Sequence, residues 1–233
     1  MVTNSRARRP AAVDVGGETR ERILIAALDA FSSNGFDGAK TREIAAQAGV
    51  NLGLIQYHFG GKAKLWRAAV DRAFEELQEG LKDVVGDVVG DSSPTDDRDP
   101  VLIRESIRNL IRELIHGYVH FVARNPQFVR LMHEEGKRKG PRMRWLVDRH
   151  VNPLYETVSA IMQRAQQYGV LPAGIAPVHF HYIMAGAVSI IFHQAEECKR
   201  LTGLDPADAS AVEAHARAVE YLFLGSSETE VQQ

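Results

Sequence analysis

At 233 residues, with 45% hydrophobic and 25% charged residues, the chain has the composition of a globular protein with a sizeable core, outside the disordered and fibrous classes. Its one cysteine, Cys198, excludes an intramolecular disulfide framework and points to a reduced, cytoplasmic setting; no apolar run approaches the ~20 residues that span a bilayer, so a soluble chain with no membrane partner is expected. The net charge of −2 conceals an asymmetry, because residues 1–70 carry +4 and the remainder −6, a basic head on an acidic body.

Residues 1–17 read as a basic arm without the apolar core of a secretory signal; Arg6, Arg8 and Arg9 are either a solvated tail or an arm for a minor groove. From Thr19, Ile23, Leu24, Ala27, Leu28 and Phe31 recur at helical spacing, and Asn34-Gly35 supplies the left-handed residue that ends such a helix. Thr41 is placed to cap a short second helix through Ala48, and Gly49 breaks it. Asn51 is placed to cap a third helix to Phe59, with Leu54, Ile55 and Phe59 toward its buried side, and Gly60-Gly61 stops it.

A long amphipathic helix is predicted from Lys62 to the region of Asp83, striped by Leu65, Trp66, Ala69, Val70, Phe74, Leu77 and Leu81. Residues 86–100, rich in Gly, Asp, Ser and Pro, read as an exposed linker. Helices follow over 101–124, 127–139, 142–168, 177–201 and 206–224, with Pro153 expected to kink or split the third of these. The expected fold is all-α: a three-helix helix-turn-helix domain over 18–64, a larger helical domain over 65–225 and a tail over 226–233.

Two short helices joined through Ala48-Gly49-Val50 have the geometry in which the first crosses a phosphate backbone and the second enters a major groove. Such a turn also occurs in ordinary helical packing. Here, however, Thr41-Arg42-Glu43-Ile44-Ala45, Ala48-Gly49-Val50, Tyr57-His58-Phe59-Gly60-Gly61-Lys62 and Leu65 make residues 19–74 resemble the TetR family of regulators. The resemblance implies a homodimer on palindromic double-stranded operator DNA, released by a small-molecule inducer that binds the C-terminal domain, with repression as its usual mode.

By the same resemblance Thr41 and Arg42 fall at phosphate contacts, Asn51, Leu52, Gly53 and Leu54 at the start of the reading helix, Gln56, Tyr57 and His58 at base and phosphate contacts, and Lys62 at a phosphate contact. Leu52 and Leu54 depart from the common pattern; Leu54 is expected to pack rather than read. Phe59 is expected in the core, Tyr57 at the DNA surface, and His58 either at DNA or on a backbone group.

His116 and His120 stand four apart, a spacing useful for a metal, but two ligands do not make a site and no third is patterned nearby, so no metal and no cofactor are expected. His179 and His181 carry still less. An enzyme is disfavoured because Gly-x-Ser-x-Gly, His-Glu-x-x-His and phosphate-loop patterns are lacking; a helical adaptor would explain only the C-terminal half. The set Ile107, Leu110, Ile111, Leu114, Tyr118, Phe121, Met132, Trp145, Tyr155, Phe180, Tyr182, Met184 and Phe192 exceeds what helix pairing requires and suggests a cavity for an apolar or aromatic inducer. The last two long helices, through Ile183, Ala185, Ala187, Val188, Ile191, Phe192, Val219, Tyr221, Leu222 and Leu224, are the expected dimer interface.

Overall fold

The computed structural model describes residues 15–90 and 99–225, and every regular element among them is helical. The basic arm up to residue 14, the linker core at 91–98 and the tail at 226–233 lie outside the described residues. The order is α1 (Val15–Gly38), α2 (Thr41–Gln47), α3 (Leu52–Phe59), α4 (Lys62–Gly90), α5 (Pro100–Arg124), α6 (Pro126–Gly136) and α7 (Pro141–Leu146). A π-helical turn (Val147–Val151) then leads into α8 (Asn152–Gln167), α9 (Pro177–His193), α10 (Ala195–Thr202) and α11 (Ala209–Leu224).

Local chemistry sets most boundaries. Gly35, at φ 66° and ψ 173°, interrupts α1 where Asn34-Gly35 was expected to, although one further turn reaches Gly38. After α2, Gly49 at φ 65° completes a Schellman turn, its N–H reaching Ala46 O at 3.1 Å while Val50 N–H reaches Ala45 O at 2.9 Å. Asn51 caps α3 as expected, its Oδ1 accepting from Gly53 N–H at 2.8 Å. Thr41 does not cap α2: Lys40 holds the cap position without a side-chain bond, and Thr41 is already the first helical residue.

Two helices differ from their expected bounds. The long fourth helix continues through 86–90, the start of the supposed linker, and ends at Gly90. The helix expected over 177–201 breaks at Gln194 into α9 and α10. Pro153 acts as anticipated: lacking an N–H, it sits in the first turn of α8, and the wide π turn before it absorbs the mismatch.

α4 joins the two halves of one continuous core. Its first turns bury Leu65, Trp66, Ala69 and Val70 with Ile23, Leu24 and Phe31 of α1 and with Ile55 and Phe59 of α3. Its later turns carry Phe74, Leu77 and Leu81 against α5, and Phe74 meets Phe128 of α6 edge-on at 5.1 Å. α6 also packs along α1, so the N-terminal three helices rest on the body through two elements.

Candidate nucleic-acid interface and ligand cavity

On the reading face, α2 and α3 expose Arg42, Asn51, Leu52, Gly53, Gln56 and Tyr57, with Thr41 and His58 half-buried. Tyr57 is 81% exposed, far too open for a core aromatic, whereas Phe59 is buried under the Arg20 guanidinium. Leu54 packs against the core and Leu52 stays outside, as their spacing on α3 requires. His58 meets Tyr57 and Phe59 through ring contacts.

Several of these groups are engaged within the chain. Gly53 serves the Asn51 cap: a Cβ there would stand 3.3 Å from Asn51 Oδ1, which crowds the bond that starts the helix. Gln56 Nε2 donates to Gly60 O at 3.4 Å, a long bond that a better acceptor can displace. Lys62 donates to Asp37 O at 3.2 Å and lies 5.0 Å from the centre of the Phe36 ring, so α1 holds its ammonium in place, with one hydrogen bond of a possible three made among the described residues. Arg22, whose guanidinium comes near Gly49, is a further exposed cation beside the turn that the local pattern gave no reason to single out.

Behind this head the body holds a partly open apolar cavity of about 510 Å³. Phe74, Leu77 and Leu81 of α4 form one wall, and Ile111, Leu114, Ile115 and Tyr118 of α5 form another. α6 adds Phe128, Val129 and Met132, α8 adds Leu154, Val158 and Met162, and α9 adds Phe180 and Met184. Of the aromatic and methionine set read from the sequence, Tyr118, Met132, Phe180, Tyr182 and Met184 line it. Trp145 instead packs on Trp66 beneath the head, and Phe192 packs on His215.

The cavity's polar groups are few. Burial pushes the Tyr118 hydroxyl up to about 12, so it stays protonated and able to donate. His133 is held below the ordinary imidazole value first by burial and then by neighbouring His193, whose ring stacks on it at 4.3 Å; burial alone lowers His181. Both are therefore neutral lining groups at neutral pH. Ser189 spends its hydroxyl on Ala185 O at 2.7 Å. His133 and Ser189 share no short motif and converge on the cavity only through packing, whereas Phe74 reads from the sequence as part of the α4 stripe without its place in the cavity wall.

The surface of α9 and α11 is more selective than expected. Val188, Phe192, Val219 and Leu224 are buried within the chain, so they cannot form an intermolecular contact; Tyr182, Ile183, Tyr221 and Leu222 remain exposed. The fold also supplies what the sequence pattern lacked beside His116 and His120, since α11 brings Glu213 to them.

Comparison with known proteins agrees with this arrangement. A family model described as "Bacterial regulatory proteins, tetR family" matches residues 23–69, and one described as "Tetracyclin repressor-like, C-terminal domain" matches residues 108–221. The HTH-type transcriptional repressor NicS of Pseudomonas putida is 24% identical over 199 residues, 83% of this chain and 84% of that protein. Among solved structures, AibR in complex with isovaleryl coenzyme A and operator DNA superposes with a TM-score of 0.66 at 16% identity, covering 90% of this chain and 100% of that one. The hemolysin II transcriptional regulator HlyIIR gives 0.59 at 20% identity, covering 91% and 99%. At these identities the two structures speak for the fold.

Proposed function

The chain belongs to the TetR family of transcriptional regulators, and from that premise we propose that it is a cytoplasmic repressor that leaves a palindromic operator when an apolar or aromatic small molecule fills the cavity. The observation that carries this reading is the cavity itself: α4 and α6, which wall it, are the two elements on which the reading head rests. That AibR was solved with both an acyl coenzyme A and operator DNA supports a ligand of partly apolar character here.

Thr41, Arg42 and Lys62 are assigned to phosphates, and Asn51, Leu52, Gly53, Gln56, Tyr57 and His58 to the groove-facing helix, with Gly53 acting through the cap it permits. Lys62→Ala is expected to weaken binding to every sequence and to reduce the salt slope by roughly one unit for each phosphate that the lysine neutralises. Gln56→Ala is expected to cost about 1–3 kcal/mol of discrimination at one base pair per half-site with the salt slope nearly unchanged. Titrations of both variants against operator and scrambled DNA over a salt series decide the assignment. A Gln56→Ala protein with unaltered base preference removes that residue from the readers.

The dimer is assigned to Tyr182 and Ile183 of α9 and Tyr221 and Leu222 of α11, exposed apolar groups on adjacent helices that a two-fold axis would cover. Leu222→Asp combined with Tyr221→Asp should give a monomer with unchanged helicity in sedimentation at micromolar concentration. A dimer that survives both substitutions places the interface elsewhere.

A further inference from the structure

We propose that His116, His120 and Glu213 bind a divalent transition-metal ion that joins α5 to α11. Each offers a ligand atom, and these atoms lie within 4.8 Å of one another. The two imidazoles come from successive turns of α5, and the carboxylate from α11, 93 residues beyond His120. Ligands at about 2.0–2.2 Å from a tetrahedral ion stand roughly 3.3–3.5 Å apart. His120 Nε2 and Glu213 Oε2 are 3.2 Å apart as a hydrogen bond, just under that spacing, and His116 Nδ1 lies 3.9 Å from the other oxygen, Oε1, so that small side-chain rotations bring both imidazoles onto one carboxylate oxygen.

Glu213 Oε1 also lies 3.7 Å from the exposed Arg217 guanidinium, and the histidine side of the cluster is held from behind. His116 uses Nε2 on Glu220 Oε2 at 2.9 Å, leaving Nδ1 on the side of Glu213. Glu220 is itself fixed by Arg112 Nε at 2.6 Å. A carboxylate behind a ligating imidazole fixes its tautomer and raises its basicity, the support that metal-bound histidines ordinarily have. Two nitrogens and one oxygen with a position left for water suit Zn²⁺, Co²⁺ or Ni²⁺ rather than Ca²⁺ or Mg²⁺. The side chains are a quarter to nearly half exposed, so an ion reaches them from solvent.

The ion would act on elements that matter elsewhere in the molecule. The opposite side of α5 walls the cavity through Ile111, Leu114 and Tyr118, and α11 carries exposed Tyr221 and Leu222.

The test uses the full chain without a histidine tag, stripped with chelator and titrated with Zn²⁺ by calorimetry and with Co²⁺ by visible absorption. One ion per protomer at micromolar or tighter affinity, with a metal-dependent rise in Tm, is expected. His116→Ala and His120→Ala should each weaken binding at least ~10-fold, and Glu220→Gln should weaken it by about 10–100-fold through the supporting carboxylate. Should His116→Ala fail to fold, the more exposed His120→Gln carries the same comparison. No stoichiometric Co²⁺ or Zn²⁺ binding by the wild-type chain, or binding that survives the histidine substitutions, overturns the proposal and leaves the cluster a salt-bridge network.

Discussion

Trp66→Ala is expected to destabilise the chain by about 3–5 kcal/mol, the range for deleting a buried aromatic that its surroundings cannot collapse to fill. Trp66 is 1% exposed at the start of α4 and meets Phe36 of α1 edge-on at 6.4 Å and Trp145 of α7 at 5.4 Å. Arg67 covers the far partner, its guanidinium 5.3 Å from the Trp145 ring, so a cavity at 66 lies inside a stack that ties the head to the body. Its indole Nε1–H finds no acceptor among the described residues, which makes the residue's contribution one of packing rather than hydrogen bonding. Trp66→Phe, which keeps a ring and removes that donor, should recover most of the loss. Denaturant unfolding of the two variants measures both; a cost below about 1 kcal/mol for the alanine variant would mean that the stack contributes little.

The N-terminal half was readable because its signals are local. Asn51 caps two residues ahead, Gly49 and Gly60 adopt the left-handed backbone that ends their helices, and Leu54 and Phe59 fall inward by spacing alone. Thr41 misled because cap residues and first-turn residues differ by one position, and Lys40 has the extended backbone that defines the cap. In the body, composition announced an apolar cavity but could not place its walls, which come from six helices and the π turn. Trp145 and Phe192 show why: each has the character of a lining residue, yet one is drawn to Trp66 and the other to His215. The long connection through α4 was legible from its stripe, whereas the second route through α6 was not, since one face of that helix serves the cavity and another serves α1.

That second route sets the size of the response expected between ligand and DNA. Val129, Met132 and His133 of α6 face the cavity, while Arg130 reaches Asp29 at 3.9 Å and Arg138, just beyond the helix, reaches Asp37 at 3.2 Å. Glu135, 2% exposed, holds Arg142 at 3.4 Å, and that guanidinium lies 4.2 Å from the centre of the Phe36 ring. A ligand that displaces α6 therefore moves contacts on α1 as well as on α4. Under the proposed mechanism saturating operator should weaken inducer affinity about 5–150-fold, and inducer should weaken operator affinity by the same factor, because a coupling free energy is shared by both sites. Removing Arg142 alone would strand the buried Glu135 charge and confound the result with destabilisation. The pair Glu135→Gln with Arg142→Gln avoids this and should cut the coupling factor by roughly 2–30-fold, the span of a 0.5–2 kcal/mol change, while leaving each separate affinity nearly unchanged. Calorimetric titration of an inducer found by thermal-shift screening of apolar and aromatic compounds, with and without operator DNA, reads both factors. Equal inducer affinity in the two titrations of the unmodified chain would break the link between cavity and reading head, and an undiminished factor in the double variant would assign that link to α4 alone.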